Sequence, residues 1–259
     1  RYARNARLDG GRLYGVQKVM KIFITKDYEE MSAKAFEVMK GVVKNNPYAV
    51  LGLATGTTPL GLYRHMIEDH TVHGTSYAHI RTVNLDEYQG LPKNHNQSYA
   101  YFMRENLFRH LDIETSNTYI ENGTALDEAA ECVRYNKLLE EMPRNIQLLG
   151  LGSNGHIAFN EPNTPFGSQT HVVDLTENTI KDNARLFSDI SEVPKKAFTM
   201  GIKQIMQAKQ ILILTSGANK ADAVFKTVCG KITEEVPASV LQLHPNCILI
   251  ADKEAASKL

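Results

Sequence analysis

The sequence predicts an α/β fold, a three-layer sandwich built on a mostly parallel, Rossmann-like sheet with helices on both faces. Two observations carry this. Short apolar runs recur along the 259 residues, at Ile22–Thr25, Val50–Ala54, Arg81–Leu85, Gln147–Leu151, Ile211–Thr215 and Ile248–Ala251. Unbroken hydrophobicity marks parallel strands covered on both faces. Between the runs, apolar residues repeat at helical spacing, and strand–helix alternation builds right-handed crossovers over one sheet.

Residues 1–19 are basic and lack the apolar core of a signal peptide, whereas Met20 followed by Lys-Ile-Phe-Ile-Thr reads as a native start on a strand. Residues 1–19 are therefore read as an expression-derived leader, and 20–259 as a single catalytic α/β domain. Met31, Ala35, Met39 and Val42/Val43 give the first helix one apolar face. Leu126, Ala130 and Val133 do the same within 126–141, and Ala223, Val224 and Val228 mark a helix after Asn219. The segment 162–195 is polar, punctuated by prolines at both ends and the least regular part, which suits a lid over a site.

Composition excludes several classes. Lys+Arg and Asp+Glu both total 29, so no global field recruits nucleic acid or an anionic membrane. No apolar run approaches the length of a membrane span. Cys132, Cys229 and Cys247 are odd in number and scattered, with neither metal-ligand spacing nor a disulfide framework. A reducing cytoplasm and a site without metal follow as expectations.

Four loops carry chemistry. The run Ile146–Leu151 enters a glycine-rich turn and then reaches His156 and Glu161. A histidine and a carboxylate at the carboxyl end of a buried strand sit where open α/β sheets bind ligands. Gly150-x-Gly152-x-x-Gly155 also matches the dinucleotide fingerprint, but that fingerprint needs a helix opening on its last glycine. Pro162, Pro165 and Gly167 leave no room for one. His156 can act as acid or base, with Glu161 as its orienting partner; a structural histidine is the plainer alternative.

After Val50–Ala54 comes Thr55-Gly56-Thr57-Thr58-Pro59, whose hydroxyls and backbone N–H groups at a helix start suit an anion. A simple capped turn explains that segment equally well. Ser216-Gly217-Ala218-Asn219-Lys220 repeats the arrangement and adds the Lys220 charge. Asp86 and Glu87 end the run Arg81–Leu85. Adjacent side chains on an extended chain face opposite ways, so only one can enter a cleft; Asp86 is the candidate base, a helix-capping Asp the alternative. No strained serine or cysteine elbow is present. The chemistry reads as proton transfer on a phosphorylated small molecule.

At this point the sequence resembles the glucosamine-6-phosphate deaminases, across essentially all of Met20–Leu259. The motifs are Ala-Thr-Gly-x-Thr-Pro at 54–59, Asn-x-Asp-Glu-Tyr at 84–88, the glycine-rich His-Ile-Ala-Phe-Asn-Glu-Pro stretch at 150–162, and Leu-Gln-Leu-His-Pro at 241–245. The resemblance implies conversion of glucosamine 6-phosphate and water to fructose 6-phosphate and ammonia, with no metal or organic cofactor. It implies that Asp86 moves a proton between C2 and C1 of the opened sugar, and that His156, paired with Glu161, opens the ring. Thr55, Gly56, Thr57 and Thr58 would cradle the 6-phosphate, with Lys220 and Arg185 neutralising it.

Two departures stand out. Many members carry an aspartate where this chain has Asn154, which can orient the imidazole but adds no charge. Allosteric hexameric members use basic residues shortly after Asn-Glu-Pro, where this chain has His171 and Val173. A monomer without an allosteric effector is expected. The rivals are a 6-phosphogluconolactonase-like sugar-phosphate hydrolase, which needs water activation at an ester rather than a base over C2, and a sugar-phosphate sensor, which would bring a DNA-binding module or a basic face.

Overall fold

All six apolar runs are strands of one parallel sheet in the computed structural model, which describes residues 20–175 and 192–259. In chain order the strands are β1 (Lys21–Thr25), β2 (Val50–Leu53), β3 (Arg81–Asn84), β4 (Asp86–Tyr88), β5 (Thr118–Tyr119), β6 (Ile146–Gly150), β7 (His171–Asp174), β8 (Lys196–Thr199), β9 (Ile211–Thr215) and β10 (Cys247–Asp252). The main sheet runs β1-β10-β9-β6-β2-β3-β5, and its pairings are parallel. The chain builds outward from β2 through β3 to β5, then returns to β2's other side with β6 and builds outward again. That reversal opens a crevice at the carboxyl ends of β2 and β6, the ligand position in open α/β sheets.

The helices are α1 (Tyr28–Asn45), α2 (Leu60–His73), α3 (Tyr99–Asn106), α4 (Glu128–Glu141), α5 (Ile202–Met206) and α6 (Ala221–Cys229). Asp27 caps α1 by accepting from Glu30 N at 3.0 Å. Met31, Ala35, Met39 and Val43 bury the face that their spacing predicts. The expected face of α4 is wrong. Leu126 is 103% and Val133 67% exposed. The buried side is Glu131, Tyr135 and Leu139, because a charged residue with a local partner can face inward: Glu131 pairs with Arg134 at 2.6 Å.

Sequence patterning missed the second sheet. Its strands β4, β8 and β7 pair antiparallel and are three or four residues long, too short for a periodic signal. The predicted strand Arg81–Leu85 therefore ends early. The chain leaves the main sheet after Asn84 and Asp86 opens β4 instead. The expected leader at 1–19 lies outside the described residues, as does the 176–191 part of the expected lid; the described part of that segment contributes β7.

Candidate active site

The carboxyl ends of four neighbouring strands, β9, β6, β2 and β3, meet around a cleft of about 220 Å3. The β2 loop supplies one wall. Tyr63 Oη, in α2, donates to Ala54 O at 2.5 Å and accepts from Ala54 N at 3.3 Å, anchoring the loop's start. Tyr28 Oη donates to Thr57 O at 3.0 Å and accepts from Gly61 N at 2.8 Å, fixing its end. Gly56 turns between them at φ +87°, where a side chain is strained. Among the described residues, none of the backbone N–H groups of Thr55–Thr58 donates a hydrogen bond. Unpaired donors beside a helix N-terminus make a concavity for an anion. Thr55, Gly56 and Thr58 line the cleft; Thr57 does not. Pro59 sits at the cap of α2, just before its first residue.

The β9 loop faces it. Asp252, closing β10, accepts from Ser216 Oγ and from Gly217 N at 3.0 Å, and Gly217 takes φ +96°. This clamp delivers Lys220 to the cleft wall. Lys220 makes no ion pair among the described residues, and desolvation by burial lowers its pKa. An unpaired, half-buried ammonium beside free N–H groups is an anion site seeking its anion.

Asp86 and Glu87 diverge as the pleat requires. Glu87, 1% exposed, turns to α3 and accepts from Tyr99 N and Ala100 N, both at 2.9 Å. It is the acid that serves a helix N-terminus. Asp86 lines the cleft. Desolvation, with the Glu87 charge added, pushes its carboxyl up to about 8.

His156 reaches the cleft from the β6 loop. Its Nδ1 lies 3.2 Å from Glu161 Oε1. Asn154 Nδ2 donates to Glu161 Oε2 at 2.7 Å, and Asn154 Oδ1 accepts from His156 N at 3.1 Å. The Glu161 carboxyl is held below its ordinary range, chiefly by the adjacent His156 ring, against desolvation. The glycines have distinct uses. A Cβ on Gly152 would meet the His156 ring at 2.5 Å, so Gly152 leaves room for the imidazole. Gly155 turns at φ +88°. Ala158, also on the cleft wall, has φ +52°, a left-handed backbone that costs about 1 kcal/mol or more without glycine.

Of the predicted residues, Thr55, Gly56, Thr58, Asp86, His156 and Lys220 line one cleft. Asn154 and Glu161 stand behind His156, and Arg185 lies outside the described residues. Sequence reasoning missed Tyr99 and Phe159, which also line it and stack with ring centroids 6.3 Å apart. It missed Asn160, fully buried, whose Nδ2 donates to Ile157 O and Met200 O, both at 2.9 Å. Asn160 follows His156 by four residues, but its partner Met200 is 40 residues away, so only the fold reveals its use. Among the described residues no group of three or more His, Cys, Asp or Glu is arranged to hold a metal ion, and no helix is long and apolar enough to cross a membrane.

The model of the glucosamine-6-phosphate isomerases/6-phosphogluconolactonase family matches residues 26–249. The chain belongs to that family. Within it, the chain is 52% identical over 241 residues to a glucosamine-6-phosphate deaminase of Clostridium novyi (strain NT), covering 93% of this chain and 100% of that one. A second, of Thermoanaerobacter pseudethanolicus (strain ATCC 33223 / 39E), is 51% identical over 239 residues, covering 92% and 94%. The fold superposes on a monomeric glucosamine-6-phosphate deaminase with a TM-score of 0.88 at 48% identity, covering 93% of this family member and 100% of that chain. A 6-phosphogluconolactonase from Trypanosoma brucei superposes at 0.76 with 20% identity, covering 93% and 98%, a likeness of fold alone.

Proposed function

We propose that this family member is a glucosamine-6-phosphate deaminase, converting glucosamine 6-phosphate and water to fructose 6-phosphate and ammonia. One observation carries the reading: a buried carboxyl at Asp86, raised to about 8, shares a cleft with a His156–Glu161 pair and an unpaired Lys220. A carboxylate poised to ionise near neutrality suits proton abstraction from carbon.

The 6-phosphate binds the free N–H groups and hydroxyls of the 55–58 loop, with Lys220 and Arg185 opposing its charge. His156, oriented by Glu161 and Asn154, moves the proton that opens the ring. Asp86 takes the C2 proton as O1 is protonated, giving the enolamine, and returns it at C1 as the nitrogen gives up a proton, leaving an imine at C2. Water adds to that carbon and ammonia leaves, so the ketose forms without net redox change. The described cleft residues all come from one chain, in keeping with an enzyme that works as a monomer with no allosteric effector. The unpaired Cys132, Cys229 and Cys247 suit a cytoplasmic location.

The test is a coupled assay on glucosamine 6-phosphate that follows fructose 6-phosphate and ammonium together. Equal release of both supports the reading. Binding without product, or hydrolysis of 6-phosphogluconolactone instead, overturns it. N-acetylglucosamine 6-phosphate should leave the saturation curve hyperbolic and unshifted.

A further inference from the structure

A second and larger cavity, about 420 Å3, lies between α3 and the β3–β5 edge and shares no lining residue with the cleft. That volume falls within the range of small-molecule sites, roughly 300–1,000 Å3. Met103, Phe108, Ile113 and Ile120 give it apolar walls. Lys93, Arg104 and Arg109 also line it. Glu105 pairs with both arginines, and Lys93, which makes no ion pair among the described residues, feels the charge of Glu87; three cations against these two carboxylates leave the lining positive. Asn84, 2% exposed, lines it too, and its Nδ2 has no hydrogen-bond partner.

We propose that this cavity is a second ligand site, which takes a small organic acid with an apolar body. The apolar body packs on Met103, Phe108 and Ile113, and the acid group meets Lys93 and Arg104. The proposal does not depend on the deaminase reading.

The probe is 8-anilinonaphthalene-1-sulfonate, an aromatic sulfonate whose fluorescence rises on leaving water. It should bind the whole chain in one saturable step that saturating fructose 6-phosphate does not displace. Lys93→Gln and Arg104→Gln should each weaken it about fivefold, the scale of one partly exposed charge pair, and Ile113→Trp should fill the cavity and abolish binding. The uncharged N-phenyl-1-naphthylamine should bind about tenfold more weakly. Displacement by fructose 6-phosphate, unchanged affinity in both charge variants, or equal binding of the uncharged probe overturns the proposal. The two charge variants decide the matter if Ile113→Trp does not fold.

Discussion

Asp86 lies directly opposite Thr199 in the antiparallel pairing of β4 with β8. Thr199 Oγ1 also accepts from Phe159 N at 3.1 Å. Next along, Met200 N donates to Leu85 O at 2.7 Å while Met200 O accepts from Asn160. The strand bearing Asp86 and the loop bearing His156 are thus docked on the same two residues. Thr199→Val keeps the volume but strands the Phe159 N–H, and should destabilise by about 1–2 kcal/mol. Asn160→Ala strands the Met200 carbonyl, while Ile157 O keeps the residue-160 backbone N–H, and should cost about 1–3 kcal/mol. Both should lower kcat more than they raise KM; chemical denaturation and steady-state kinetics on the same preparations check this. Native kinetics in both variants would mean that the docking does not set the active geometry.

Asp86→Asn should cut kcat by about 100- to 10,000-fold with a modest change in KM, because proton transfer is lost only in the transition state. The pH dependence has a definite sign. A base acts when deprotonated, so kcat/KM should climb with pH until the Asp86 value of about 8 is passed. For stability the direction reverses. The folded state holds the Asp86 proton more tightly than the unfolded chain, so stability falls as pH rises from the ordinary carboxyl range through about 8. Asp86→Asn should therefore raise the melting midpoint at pH 8 and leave it nearly unchanged at pH 4. A thermal melt at the two pH values suffices.

Gly152→Ala places a methyl 2.5 Å from the His156 ring. The imidazole must rotate away from Glu161, since the conflict is with its whole ring rather than a flexible tip. Turnover should fall at least about tenfold, a misplacement effect, while the fold survives. Gly41→Ala in α1, with nothing within 4 Å of its Cβ, serves as the control and should stay near wild type.

Lys220→Ala should raise KM for glucosamine 6-phosphate by about 10- to 100-fold, the scale of a hydrogen bond to a charged group, with kcat less affected. Unphosphorylated glucosamine should bind both forms equally. A comparable loss for that sugar would remove Lys220 from the phosphate site.

The four loops were legible in the sequence because their chemistry is local. Gly56, the Thr55–Thr58 hydroxyls, Lys220 and the His156–Glu161 spacing announce themselves within a few residues of a buried strand. Five of the seven main-sheet strands, β2, β3, β6, β9 and β10, were legible because burial removes polar residues from a run; β1 was legible as an apolar run although it is an exposed edge strand, and the two-residue β5 was not legible. The face of α4 was not, because local pairing with Arg134 lets Glu131 turn inward while Leu126 and Val133 stay outside.

By itself, the chain's sequence determined the strand–helix order, the residues available for acid–base and anion chemistry, and, through the pleat, that Asp86 and Glu87 part ways. Tertiary structure decided which strands became neighbours, and hence that the β9, β6, β2 and β3 ends share one cleft. It also decided which of the two acids faces that cleft, because Glu87 finds the N-terminus of α3 and leaves Asp86 buried on the cleft wall. The Thr199–Met200 dock, the Asp252 clamp and the unpaired Asn84 amide all join residues at least 35 apart in the chain or depend on burial. Such contacts arise only when packing removes water from polar groups and leaves the protein to satisfy them.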